Sequence, residues 1–495
     1  MPALKIFYVS SEVAPFAKTG GLADIANSFP KALKAREHDI RVMMPKYRFI
    51  HDRRYTLRDV IRLRDIALDL PGNDTLNLNT KSAFIDDAKV QIYFADIAEM
   101  FNQKSPYVNP ETGKDYDNNL QRFAYFSLAA INTLKHLYWQ PDIIHCNDWQ
   151  TALIPVYLKT IFKDDPFFAN CKTVFTIHNM AFQGIFPLTE SASIGLADFP
   201  ELTGEDGQLA FHGKMNLLKG AILFSDKITT VSPGYLTHLL ENDENAFGLL
   251  EALRMREKDL VGILNGIDTE TWNPQTDKNI ETQYGLDEID SKVSNRQALL
   301  DELDLTLAED KPLIGFVARL TEQKGVGLLL DNLEQWLTDN LTLVVLGSGD
   351  KAYEKQLLAL MKKYPERLAV KIGYDEKLSH RIQAASDIFL MPSFFEPCGL
   401  TQLYSLRYGT LPLAFHTGGL IDTITDLDKR PETGTGFLFD KFSAKALNER
   451  LRQAMALYQQ RDVWRAAQER AMQQDFSWEN PVQAFEDLYQ GLKQE

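Results

Sequence analysis

No stretch of eighteen apolar residues occurs in the 495-residue chain, so no helical membrane span is expected. No basic leader and apolar run precede the first strand-like segment, Lys5 to Val9, which points to the cytoplasm and away from secretion or plastid import. Cysteine is scarce. Cys146, Cys171 and Cys398 lack metal-ligand spacing and fit free thiols in a reducing compartment. No basic run appears either: Arg53-Arg54, Arg62 and Arg64 are scattered among acids, and the net charge is −15. A nucleic-acid partner needs a basic face, so none is expected. The same charge repels polyanions, and an anionic small substrate must therefore be held by local Lys and Arg. There is no Walker sequence, because Gly213-Lys214 is followed by Met215. Gly347-Ser348-Gly349 lacks the third glycine of the dinucleotide fingerprint, Ala352 standing in its place. Asp426-Leu427-Asp428 resembles a metal-binding acid pair, but it sits in a charged stretch with no strand directly before it and reads as a surface loop. No metal is assigned, and no low-complexity tract is present.

What is there is the composition of an ordinary globular protein, 44% hydrophobic and 24% charged, on a chain long enough for two or three domains. Strand-like runs alternate with helical stripes. Lys5 to Val9 is followed by a helix with Leu22, Ile25, Ala26, Phe29 and Leu33 on one face, then by a strand over Ile40 to Pro45. Val90 to Phe94, Ile143 to His145 and Thr173 to Ile177 continue the series. Glu99 to Asn119 and Ala246 to Arg254 look irregular. Leu264 to Asp268, with Trp272-Asn273-Pro274, looks like a hinge. A second series then runs through Ile314 to Val317, Leu343 to Leu346, Ala369 to Ile372, Ile388 to Met391 and Leu411 to Ala414. This alternation predicts α/β domains with doubly wound parallel sheets. The expected boundaries are 1–262 and 263–477, with 478–495 a helix (Val482, Phe485, Leu488, Tyr489, Leu492) packing back on the first domain.

Two glycine turns occupy corresponding places in the two series. Lys18-Thr19-Gly20-Gly21-Leu22 follows the first strand, and Arg319 to Lys324-Gly325 follows Leu313 to Val317. A helix start offers unpaired N–H groups and a positive dipole end, and the Lys and Arg add full charge. Each turn reads either as a diphosphate grip or as a tight turn with solvated charges. His178 ends the strand Thr173 to Ile177; His145, Asn147 and Asp148 end another. Strand carboxyl ends in open sheets are where ligands sit, although Asp148 read alone fits a helix N-cap better. Glu396, in Ser393-Phe394-Phe395-Glu396-Pro397-Cys398-Gly399-Leu400, reads as a helix-start acid or as a carboxylate pairing with vicinal sugar hydroxyls beside the Gly399 and Leu400 amides. Thr417-Gly418-Gly419-Leu420 is a further glycine turn after a strand.

Taken in order, six motifs resemble bacterial glycogen synthases and plant starch synthases: Lys18 to Asp24, His145-Cys146-Asn147-Asp148-Trp149, Thr176-Ile177-His178-Asn179, Gly262 to Asp268, Arg319 to Gly325, and Phe395 to Gln402. The resemblance covers residues 5 to about 480. It implies a GT-B fold, two Rossmann-like domains facing across a cleft: an N-terminal starch-synthase catalytic domain on the acceptor side and a C-terminal nucleotide-sugar-binding domain. It implies retaining transfer of glucose from ADP-glucose to the non-reducing end of an α-1,4-glucan such as glycogen, with no metal or other cofactor. Alternatives are a glucosyltransferase of the same fold using UDP-glucose or another acceptor, and a catalytically silent glucan-binding protein.

By the same resemblance, His178, Glu396, Arg319, Lys324 and Asp148 carry the chemistry. Arg319 and Lys324 hold the diphosphate, with Lys18, Gly20 and Gly21 completing the grip. Glu396 binds glucose hydroxyls beside Cys398 and Gly399, Thr401 adds a phosphate contact, and Gly418 belongs to the donor site. His178 bonds the sugar at its 6-hydroxyl, Asp148 and Asn265 line the sugar pocket, Tyr374 stacks on the base, and Tyr107 lies near donor or acceptor sugar. The chain departs from the pattern in places. Where many members have His-Asp-Trp-His, it has Asn147-Asp148-Trp149-Gln150. Tyr404 stands eight positions after Glu396, where retaining relatives outside the family often place an acid; this matches the family but leaves ribose recognition open. Ala246 to Glu251 lacks the usual Tyr-Gly pair.

Overall fold

Short apolar strands followed by amphipathic helices build two parallel sheets, one in each of two units. The computed structural model of the chain describes residues 2–85 and 88–494. The N-terminal unit comprises Met1–Val231, Leu236–Gly266 and Trp478–Glu495, and the C-terminal unit Ser232–Tyr235 and Ile267–Ser477.

In the N-terminal unit, β1 (Lys5–Val9) leads into α1 (Gly21–Ala35) and β2 (Asp39–Pro45). Then come β3 (Val90–Asp96), α2 (Asn119–Leu137), β4 (Ile143–Asn147), β5 (Lys172–Ile177), β6 (Lys227–Thr230) and β7 (Leu260–Gly262). The parallel order is β7-β6-β5-β4-β1-β2-β3, extended beyond β3 by antiparallel Leu76–Ile85 and Arg58–Asp59. β1 is apolar after Lys5 and β4 is buried throughout, because both faces of each are covered. Ile25, Ala26, Phe29 and Leu33 of α1 are buried as their spacing predicts.

In the C-terminal unit, β8 (Leu313–Val317), α3 (Val326–Thr338), β9 (Thr342–Gly347), β10 (Leu368–Ile372), β11 (Ile388–Met391), α4 (Thr401–Arg407), β12 (Leu411–Phe415), α5 (Gly418–Thr423) and β13 (Phe437–Phe439) form an all-parallel sheet. Its order is β10-β9-β8-β11-β12-β13. Trp336, Leu329, Leu343, Leu403 and Leu413 sit in its main core. The last helix, α6 (Glu479–Gln494), packs on α1 within the N-terminal unit. There the Glu486 carboxylate accepts from His38 Nε2 at 2.8 Å and Arg36 Nη1 at 3.2 Å.

Each sheet reverses its winding direction once beside its first strand: between β1 and β4 in one unit, between β8 and β11 in the other. At such a point the two adjoining connections leave in opposite directions and open a crevice at the strands' carboxyl ends. Two sequence readings are corrected here. Asp426 is buried, not on a surface loop: Arg450 forms an ion pair with it, and Asp428, exposed, lies 3.3 Å from the same guanidinium. Residues Leu250–Met255 are helical, not irregular.

Candidate active site

The β1/β4 switch point gathers the first set of candidates. The chain leaves β1 through Ser10, Ser11 and Glu12 and returns through Lys18, Thr19 and Gly20 to start α1. Glu12, which sequence reasoning missed, organises this turn. Its carboxylate accepts from the Thr19 hydroxyl at 2.6 Å, from the Thr19 and Gly20 amides, and from the Tyr107 hydroxyl at 2.7 Å. Burial pushes its carboxyl up from the ordinary value, against those hydrogen bonds, which pull it down. The Gly20 amide, expected to meet a phosphate, thus already faces an internal anion. Gly20 itself is extended (φ −160°), and an added Cβ there would meet nothing within 4 Å, so the fold does not demand glycine at this position. Space is left open beside it. Gly21 is the first residue of α1. Lys18 pairs with Asp24 of α1 at 2.6 Å. The Tyr107 hydroxyl also meets Ser11 Oγ at 2.7 Å, tying the loop before α2 to this turn.

Beside it, β4 ends in Asn147 and Asp148, and β5 in His178. Asp148 does not cap the following turn. Its carboxylate instead accepts from the amides of His178, at 2.8 Å, and Asn179. The backbone pays attention to this geometry: Asp148 has φ 55°, a left-handed value uncommon outside glycine. Burial raises its carboxyl to about 7, with the two amides pulling the other way. His178 Nε2 lies 2.8 Å from Asn147 Oδ1, while Nδ1 is buried and has no partner among the described residues. Burial lowers the imidazole to about 3. His145 plays a structural part: both its nitrogens are engaged, by Tyr489 and Thr176 hydroxyls at 2.6 Å, and it is 1% exposed. Asn265, after β7, is buried with its amide nitrogen unpartnered among the described residues.

The β8/β11 switch point gathers the second set. Arg319 is exposed in the loop after β8, with Nη2 3.4 Å from Gln323 Oε1. Lys324 ends the next short turn, and its ammonium lies 2.5 Å from Glu396 Oε2, with the lysine side chain 17% and the glutamate 7% exposed. The turn is locked to the β11 loop by Phe394 N donating to Gln323 O at 2.8 Å. Gly325 has φ 69°, and a Cβ there would collide with Pro392 O. The Glu396 carbonyl accepts from Gly419 N at 2.9 Å, where α5 begins. Gly418, φ 47°, has no room for a Cβ against that same carbonyl. Gln402 Nε2 spans the carbonyls of Cys398 (2.8 Å) and Gly399 (3.0 Å), holding the loop that ends in α4. Thr401 turns its hydroxyl to Met391 Sδ at 3.7 Å. Tyr374 is 69% exposed, with its hydroxyl 3.3 Å from Glu376. Tyr404 is buried and stacked face to face on Trp272, ring centroids 3.7 Å apart, and the other face of Trp272 is covered by His380 at 3.8 Å. Gly347-Ser348-Gly349 supports this site rather than forming one: Leu320 bridges to Gly349, and a Cβ at Gly347 would strike Ala318 O.

Away from both switch points, a pocket of about 310 Å³ is lined by Lys292, Arg296, Asp387, Arg461, Trp464 and Arg465 among others. Its cations already have partners: Lys292 donates to three carbonyls and Thr410, Arg296 pairs with Asp387, and Arg465 with Asp290. It is a polar seam. Among the described residues, no three His, Cys, Asp or Glu side chains are grouped to hold a metal ion, and no helix is long and apolar enough to cross a membrane.

The family described as Starch synthase catalytic domain matches residues 5–255, and that described as Glycosyl transferases group 1 matches residues 302–471. The chain is 42% identical to glycogen synthase 2 of Geobacter sulfurreducens over 489 residues, 98% of each protein. The chain belongs to the glycogen synthase and starch synthase family. It is also 39% identical to the glycogen synthase of Thermotoga maritima over 488 residues, again 98% of each. The catalytic domain of starch synthase IV from Arabidopsis thaliana, bound to ADP and acarbose, matches 100% of both chains with a TM-score of 0.91 at 32% identity. Sucrose-phosphate synthase from Thermosynechococcus elongatus, with a TM-score of 0.61 at 16% identity over 98% of both chains, shares the fold alone. The fold of this family member is GT-B, and the chain is a glycosyltransferase.

Proposed function

We propose that the chain moves glucose, with retention, from ADP-glucose to the non-reducing end of an α-1,4-glucan, without a metal. One observation carries the reading: at the β8/β11 switch point Lys324 stands against the buried Glu396, with Arg319 in the same loop after β8, the combination a glucosyl diphosphate needs. A diphosphate leaving group accumulates negative charge as the glycosidic bond breaks. Arg319 and Lys324 offset it, and in a site shielded from water such fixed charge lowers the barrier most. Glu396 accepts hydrogen bonds from glucose hydroxyls, and the Cys398–Gly399 segment held by Gln402 lies alongside. Donor binding exchanges the Lys324–Glu396 contact for contacts of each group with substrate.

Lys18 meets the diphosphate and His178 the sugar 6-hydroxyl. Asp148 holds the His178 and Asn179 amides, which fixes where the imidazole stands. The acceptor's 4-hydroxyl attacks the anomeric carbon from the face the diphosphate leaves, and a phosphate oxygen takes its proton. The bond to the 4-oxygen forms as the bond to the diphosphate breaks, so charge and protons balance without a side-chain base. The ADP held by the Arabidopsis starch synthase structure supports adenosine as the donor's nucleoside. The test is ADP release in a coupled assay with glycogen, run beside UDP-glucose. Turnover with ADP-glucose exceeding that with UDP-glucose is expected. Faster use of UDP-glucose would reassign the donor, and glucan binding with no nucleotide release from either would leave only a binding protein.

A further inference from the structure

We propose that Asn147 is a positioning residue that fixes His178 as its Nε2–H tautomer, so that Nδ1 accepts a hydrogen bond donated by a hydroxyl of the transferred sugar. The argument begins at a backbone carbonyl. Asn147 Nδ2 lies 2.9 Å from Val9 O. A carbonyl oxygen only accepts, so the amide nitrogen, not its oxygen, must face Val9. That settles the amide's orientation and turns Oδ1 toward Tyr8 OH, at 2.9 Å, and His178 Nε2, at 2.8 Å. An amide oxygen also only accepts. Both partners therefore donate to it, and the Nε2 position carries the proton.

The remaining ring nitrogen is then a lone-pair acceptor. Burial keeps the imidazole neutral near pH 7, so Nδ1 has no second proton to give. It is buried and meets no donor among the described residues. A buried acceptor without a donor is costly, and this one stands at the carboxyl end of β5, the strand next to β4. The group that completes it must bring a proton, as a sugar hydroxyl does. A histidine at position 147 could present either a donor or an acceptor to its neighbour, whereas an asparagine anchored on Val9 O presents an acceptor alone. His178 in this chain therefore reads a hydroxyl as a donor and has no proton to lend to the reaction. Which hydroxyl it reads, the 6-hydroxyl, rests on the function proposed above.

Two measurements test this. The first needs no sugar: long-range ¹H–¹⁵N correlation of the full chain at pH 7, with the His178 signals assigned by their loss in His178→Gln. A proton on Nε2 and a lone pair on Nδ1 are expected. A proton on Nδ1, or on both nitrogens, overturns the inference whatever the enzyme's substrate. The second compares ADP-glucose with its 6-deoxy and 6-deoxy-6-fluoro analogues. Fluorine accepts weakly and never donates, so both analogues should lose about 10- to 100-fold in kcat/KM and by similar factors. A fluoro analogue that recovers most of the loss would mean that His178 donates, and would overturn it too. No transfer from ADP-glucose itself strikes the proposed function and leaves the tautomer result readable. In Asn147→Asp the carboxylate favours the doubly protonated ring, so the fluoro penalty should shrink relative to the deoxy penalty. A folded variant with an unchanged tautomer and unchanged penalties would refute the role of Asn147, and if it does not fold the two wild-type measurements decide.

Discussion

Asp148→Asn should change how the stability of the protein depends on pH. The Asp148 carboxyl is 9% exposed and is held at about 7 by burial, against an ordinary value of 3.8. Between those two values the folded chain binds a proton that the unfolded chain has lost. Stability therefore falls as pH rises from 3.8 to 7, by about 1.4 kcal/mol per unit, and is flat in this group's contribution above 7. From pH 5 to pH 8 the loss is about 3 kcal/mol, nearly all of it below pH 7. Asparagine carries no such proton. Whatever constant the substitution adds by altering the bonds to the His178 and Asn179 amides, the difference between variant and wild type should drift by about 3 kcal/mol in the variant's favour over that interval. The neighbouring imidazoles of His145 and His178, held at about 3, work in the opposite sense, destabilising the fold as pH drops below 6.5. They are present in both proteins and cancel in the difference. Urea unfolding followed by tryptophan fluorescence at pH 5, 6, 7 and 8 gives the comparison, with Trp149 beside the site as a local reporter. A difference that does not vary with pH would refute the placement of Asp148 as a buried carboxyl raised to about 7.

Lys324→Ala leaves Glu396 buried without its cation and should cost about 3 kcal/mol of stability, whereas Glu396→Gln leaves the more exposed lysine behind and should cost less; both should lower kcat roughly 100-fold or more in the ADP-release assay. Gly325→Ala must either strain a φ of 69° or move Pro392, and a loss of about 3 kcal/mol or a failure to fold is expected by calorimetry. Glu12→Gln replaces one accepting oxygen by a donor at the Thr19–Gly20 turn, and amide exchange at those two residues should quicken roughly tenfold. Glu486→Ala leaves the His38 Nε2 proton without an acceptor, costing about 1–3 kcal/mol, and should hasten proteolysis within α6.

Strands rich in apolar residues were legible from sequence, from Lys5–Val9 through Leu411–Phe415, because parallel strands covered on both faces carry few polar positions to blur the pattern. Lys227–Thr230 and Leu260–Gly262 were not: they are short, and threonine and glycine hide their burial. Leu76–Ile85 alternates Leu and Asn as a one-faced antiparallel strand should, a signal that was present and unused. In the site, the ordered motifs picked out Lys324 and Glu396, yet their pairing across 72 positions depends on β8 and β11 being neighbours. Asp148 was read as a cap from its place before Trp149, but a cap needs a local partner, and the amides that it holds lie on the next strand over. Glu12 escaped notice because nothing local marks an acid in Ser-Ser-Glu-Val as buried; only the return of the chain at Thr19 and the arrival of Tyr107 give it partners.

The two glycine turns look alike in sequence and are built on different principles. At Gly325 the glycine is forced, by a left-handed φ and by the Pro392 carbonyl; at Gly20 the backbone is extended, the space is empty, and the turn's shape comes from Glu12 instead. What they share is charge balance. Lys18 stands on Asp24 and Lys324 on Glu396, so neither site exposes a bare ammonium in a chain of net charge −15. On the proposed function, an arriving diphosphate would therefore exchange one carboxylate partner for its own oxygens rather than fill an empty cationic hole. Such an exchange makes affinity for free inorganic phosphate weak, because one small anion must compete with a tethered carboxylate at high effective concentration. On the same proposal a glucosyl diphosphate would escape that competition: its sugar hydroxyls would give Glu396 new donors at the moment its phosphates take the lysine, so both members of the broken pair would be satisfied together. Selectivity for the intact nucleotide sugar over its fragments would then follow from the Lys324–Glu396 contact itself.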